Sequence, residues 1–189
     1  PVMFFYIPGF FVAVVSWRTL LDMYGEHYSF LEDYTIYASM SVYRNLPLPY
    51  VFLASVLYTY QQKGTSYKAT GLVFLSTSIL HIVAGIIIFS LLSLLVLPVQ
   101  GHIVISVGIF ASILAAFVLH PKIFTRLISL ANAQKEVEHV PHITWKKISF
   151  LLILNIIAIL SAGTMTFFAA SAILDLPLIL LPVCIAALS

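Results

Sequence analysis

From Ala69 to Leu97 the chain runs for about 29 residues without an Asp, Glu, Lys or Arg. A helix of that length rises roughly 43 Å at ~1.5 Å per residue, more than the ~30 Å of a bilayer's hydrocarbon core. The segment therefore predicts a tilted spanning helix. The rest of the chain suits the same solvent. Only 8% of residues are charged and the mean hydropathy is +1.07, where a soluble domain carries roughly 25% charged residues. The sequence reads as an integral membrane protein. Its formal charge of +2 gives no reason to expect a nucleic-acid partner. Cys184 is the single cysteine, which excludes an intrachain disulfide and reads as a small apolar residue in a helix.

Further spans are expected at about 2–17, 102–119 and 148–172, with a partial one at 178–189. Both Pro1 and Ser189 stand in apolar runs and are expected to be interior to a longer chain. Residues 2–16 lack the basic start and small-residue cleavage site of a signal peptide. Trp17 and Arg18 are expected at a membrane interface, the Trp in the aromatic belt. The segment 123–134 reads as an amphipathic surface helix, with Ile123, Leu127 and Leu130 on one face and Arg126 on another. In the span at 148–172, Ala158, Ala162, Thr166 and Ala170 form a small-residue stripe suited to close helix packing. Lys63, Lys68, Lys122, Arg126, Lys135, Lys146 and Lys147 fall in loops that the positive-inside rule places in the cytoplasm. The turn at 98–101 and the loop at 173–177 hold no Lys or Arg. These readings give a multi-pass protein of the cell membrane, of the all-α class: a polytopic transmembrane helix bundle.

The segment 29–62 departs from this pattern. Ser29 with Glu32 forms a capping box at a helix start, and Glu32 with Asp33 suits the helix dipole there. Pro47 and Pro49 then break the backbone, because each lacks an N–H and pushes the preceding residue out of the α region. Gly64 ends the second helix. Two short helices around a proline turn read as a re-entrant helical hairpin with its tip at 45–49; two thin full crossings are the alternative. All ten tyrosines lie at or before Tyr67, which favours interfacial or cavity-lining helices. Broken backbone at membrane depth must be shielded by protein or line a wet cavity.

Arg44 and Asn45 adjoin that break. A deep Arg calls for an anion such as a lipid phosphate; the bland alternatives are snorkelling, or pairing with Glu32 or Asp33. Thr77, His81 and Gly85 recur every four residues on the long span, either bonding to a neighbouring helix or lining a cavity. Asn155 reads as packing glue. The histidines share no membrane depth that would suit a haem, and Pro141 breaks the face joining His139 to His142. No cofactor, metal site or soluble-enzyme motif is expected, and catalysis by this chain is not.

Several short motifs resemble the transmembrane domain of lysyl-phosphatidylglycerol synthases and their stand-alone, flippase-like relatives. Ser16-Trp17-Arg18-Thr19-Leu20-Leu21 is similar to the family's R-W-x-x-L-L, Tyr43-Arg44-Asn45-Leu46-Pro47 to its K-Y-L-P-G, and Gly64-Thr65-Ser66 to its G-V-S. His120-Pro121 and Ile143-Thr144-Trp145-Lys146 resemble its basic loop. The resemblance covers essentially the whole chain. It implies a bundle with re-entrant helices, a span before Pro1, a P-G-G-L-G-x-R-E stretch after Ser189, and movement of anionic or aminoacylated lipids. Leu48 replaces the family's glycine, while Val56 and Thr77 stand where Arg and Glu are common, which leaves Arg44 and Arg18 as the charged candidates for a lipid headgroup. The expectation is lipid translocation through a cavity open to the cytoplasm, lined by Arg44, Asn45, Pro47, Pro49, Thr77 and His81. The alternative is a degenerate member serving as a non-catalytic accessory subunit of a larger complex or of a homo-oligomer.

Overall fold

A computed structural model of the chain describes residues 2–41, 49–96, 106, 109–111, 113–114, 117–131 and 143–174. Among these residues the protein is all-helical, with no strand. The helices are α1 (Val2–Met23), α2 (Phe30–Ser41), α3 (Pro49–Gln62), α4 (Tyr67–Val96), α5 (Pro121–Ala131) and α6 (Trp145–Leu174). The described residues between 106 and 118 are helical as well. Two segments are long and apolar enough to cross a membrane: Tyr67–Leu92 on α4 and Trp145–Ala172 on α6. The expected turn at 98–101, the polar loop from Lys135 to His142, His102, Asp175 and the partial span at 178–189 lie outside the described residues.

Helix ends follow the local chemistry. Glu32 accepts from the backbone N–H of Ser29 at 3.0 Å, and Ser29 Oγ accepts from the Glu32 N–H at 3.3 Å, closing the expected capping box. Gly64 has φ of +96°. Its N–H donates to Gln61 O and the Thr65 N–H to Tyr60 O, the 5→2 and 6→1 bonds of a Schellman stop. Gly25, with φ of +84°, ends α1 in the same way, its neighbour Glu26 donating to Leu21 O. Ser66 Oγ caps α4 through the Ala69 N–H at 3.0 Å. Pro49 and Pro121 open α3 and α5, positions where no amide donor is needed.

α1 and α6 make the tightest approach. A Cβ on Gly9 would stand 2.7 Å from Ser161 Cβ, so only glycine lets the two helices close. About two turns further along the contact, Asn155 Nδ2 donates to Ser16 Oγ at 3.3 Å and to the Leu151 carbonyl at 2.8 Å. The packing-glue reading of Asn155 holds. The ridge that α6 buries runs Leu151, Asn155, Ile159, Gly163, Phe167. Of the small-residue stripe one step away, Ala162 and Thr166 are exposed, because the close approach is provided by Gly9 on α1.

α1 is helical as far as Met23. One expectation is corrected. Trp17 is not in an interfacial belt: it is 2% exposed and sits in the main core with Leu20, Tyr60 and Val73, since its indole N–H finds a buried acceptor. The surface helix starts at Pro121 and turns Phe124 and Ile128 inward, leaving Leu127 and Leu130 exposed. Phe124 fills the core beside Leu119 more fully than Ile123 would, and that rotates the helix. Val56 is buried in the same core, where an Arg would have to find an anion.

Candidate functional site

The polar residues of the molecule converge where α1, α2 and α3 meet. Asp33, in the first turn of α2, is fully buried. Its Oδ1 accepts from the Tyr60 hydroxyl on α3 at 2.9 Å. The Tyr60 oxygen in turn accepts from Trp17 Nε1 on α1 at 3.1 Å. An indole N–H can only donate, so the direction of this chain is fixed: Trp17 to Tyr60 to Asp33. Asp33 Oδ2 is buried and receives no hydrogen bond.

A further set of polar contacts, part exposed and part buried, surrounds this line. Lys63 Nζ reaches Glu32 Oε1 at 2.9 Å, joining the end of α3 to the start of α2. Lys63 also lies 5.9 Å from the Tyr28 ring centroid. Tyr28 bonds to Thr65, which the Gly64 stop delivers to it. Tyr24 bonds to Ser76 on α4 at 3.0 Å. His27 Nδ1 lies 2.9 Å from Asp22 Oδ1, and Arg18 Nε 3.9 Å from Asp22 Oδ2. The half-buried Arg18 guanidinium stands 6.0 Å from the centroid of the Phe30 ring.

Charge behaves differently at rim and centre. Glu32 is held down to about 2 by Lys63, with the Ser29 bonds adding to it. Asp33 is raised above the ordinary aspartate value because burial penalises its charge; the Tyr60 bond and the Arg18 charge oppose that, while Asp22 and Glu32 add to it. Tyr60 is raised too, first by burial and then by Asp33, and stays a donor.

Of the sequence candidates, Arg18 is at this junction. Arg44, Asn45 and Pro47 lie outside the described residues, and Pro49 is placed only as the first residue of α3. Thr77 and His81 are half-buried on α4. The Thr77 hydroxyl bonds to the Val73 carbonyl of its own helix at 2.9 Å, and it is Ser76 that bonds across to α1's end. The Asp33–Tyr60–Trp17 line was not among the candidates. One signal for it existed: Asp33 shares its face with Phe30, Ile36, Tyr37 and Met40, at steps of three and four along an otherwise apolar stripe. No group of three or more His, Cys, Asp or Glu able to hold a metal occurs among the described residues. Comparison of the chain with protein-family models, with curated proteins and with solved structures returned no match.

Proposed function

We propose that the chain is a flippase-like, multi-pass membrane protein in which α2 and α3 form a re-entrant hairpin open to the cytoplasm, along which an anionic or aminoacylated phospholipid crosses. Arg18 carries this reading. It is a half-buried cation at the hairpin's base, and its contact with Asp22, at 3.9 Å, is too long for a hydrogen bond. A lipid phosphate offers the short, charge-assisted bonds that Asp22 does not.

The setting supports it. α2 and α3 have 12 and 14 residues, roughly 18 and 21 Å at ~1.5 Å per residue, short of a full crossing. Lys63 ties their outer ends together beside the start of α4. Exposed Lys63 precedes the first candidate span, Lys122 and Arg126 precede the second, and exposed Lys146 and Lys147 stand at its first turn, the cytoplasmic side by the positive-inside rule. α5, with Leu127 and Leu130 exposed beside Lys122 and Arg126, has the composition of a helix lying on an anionic leaflet.

The test is translocation of fluorescent phosphatidylglycerol across vesicles containing the purified protein. Arg18→Gln is expected to lower the rate at least tenfold and Arg44→Ala to abolish it, with Asn155→Ala near wild type per folded molecule. A wild-type rate equal to that of protein-free vesicles overturns the reading. In that case the exposed Ala162 and Thr166 on α6 favour the accessory-subunit reading, in which another membrane protein covers them.

A further inference from the structure

Asp33 poses a problem that the lipid reading does not use. A carboxylate spreads its charge over both oxygens, and both then need donors when buried. Here Oδ1 has one donor, Tyr60, and Oδ2 has none. Tyr60 has a single hydrogen and gives it to Oδ1, so it cannot serve Oδ2. A neutral carboxylic acid fits better. Its carbonyl oxygen is Oδ1, which accepts from Tyr60, and its proton sits on Oδ2.

We infer that Asp33 is a proton-binding site, loaded while α2 is seated against α1 and α3 and discharged when the hairpin base opens. The ligand is a proton and not a metal cation. A cation of the sodium or calcium kind needs several oxygens around it, whereas the cation nearest this carboxyl is Arg18, which would repel it. The charged and titratable groups facing the site are Arg18 and Asp22 from α1, Glu32 from α2 itself, and Tyr60 from α3, with Tyr28 and Lys63 at the rim. Glu32 is already committed to Lys63 and Ser29, and Asp22 to His27. Opening would expose Oδ2 to water, which favours the charged form. Proton release and loosening of the α1–α2–α3 contact are therefore one linked equilibrium.

The sign follows from that linkage. The folded carboxyl lies above the ordinary aspartate value of 3.8, so folding takes up a proton. The stabilising contribution is complete below that value and is lost as pH rises, until the folded carboxyl has released its own proton.

The chain has three aspartates, Asp22, Asp33 and Asp175. This makes aspartate-selective carbon-13 labelling of the full protein in detergent micelles a direct test. One side-chain carboxyl signal is expected to titrate above 3.8, to vanish in Asp33→Asn, and to move to still higher pH in Tyr60→Phe, which removes the donor that favours the charged form. Should Asp33→Asn fail to fold, the upward shift in Tyr60→Phe identifies the signal by itself. Three signals that all titrate at or below the ordinary value in the folded protein overturn the inference. So does a displaced signal that neither substitution alters.

Discussion

Where α1 meets α6, Gly9 leaves room for Ser161, and the helices lock by shape along an apolar ridge with Asn155 set into it. Where the same α1 meets α2 and α3, at the residue after Ser16, contact is made through an ordered polar line from Trp17 to Tyr60 to Asp33. Shape packing has one good arrangement and resists opening. A line of hydrogen bonds ending on an unpartnered oxygen has two, because protonation and solvent can each replace what closure provides. The molecule thus places its rigid junction and its adjustable one on adjacent faces of a single helix, and the adjustable one is where the short helices and Arg18 are.

That contrast can be broken first on its rigid side. Gly9→Ala forces Cβ atoms into contact at 2.7 Å and is expected to cost about 3 kcal/mol. Adding Ser161→Gly should recover a large part of this in a double-mutant cycle of thermal unfolding in detergent. Additive effects would mean that the helices are not locked there. On the polar side, Tyr60→Phe orphans both the Trp17 N–H and Asp33 Oδ1 and should cost about 2 kcal/mol. Trp17→Phe keeps the Tyr60–Asp33 bond and should cost about 1 kcal/mol. Equal losses for the two would show that Asp33 does not depend on Tyr60. The smallest effect is expected at the rim. Glu32→Gln removes a largely solvent-exposed pair, so the melting temperature should hardly change at neutral pH. The wild-type advantage, such as it is, belongs above the ordinary value of 4.5 and fades as pH falls toward about 2.

Much of the frame was legible because it is local. The Ser29–Glu32 box, the Gly64 stop and the uncharged run of α4 are written in neighbouring residues, and each is found where its chemistry puts it. The candidate junction was legible only in part. Trp17 and Tyr60 are 43 residues apart, and no spacing rule joins them; Trp17 beside Arg18 has the same appearance whether its indole faces headgroups or a buried tyrosine. Asp33 was read as a first-turn acid suited to the helix dipole. Both acids are in that turn, but Asp33 is one step round from the exposed Glu32, in phase with the apolar face, and is buried. On α5, Ile123, Leu127 and Leu130 gave a good stripe, yet Phe124 and Ile128 took the inward position. An amphipathic face can be counted in sequence, but which of two adjacent apolar rows turns inward depends on the volume waiting for it.

The account rests above all on α2 and α3 entering and leaving by one side, with the proline-rich tip never reaching the other. With Cys184→Ser as a cysteine-free background, single cysteines can be placed at Asn45 and at Gln62. They are then probed with a membrane-impermeant maleimide applied to intact cells and to inverted vesicles. The account predicts that Gln62→Cys reacts only in inverted vesicles and that Asn45→Cys does not react from the outside. Labelling of Asn45→Cys in intact cells would make the pair two full crossings and contradict a cytoplasm-facing hairpin.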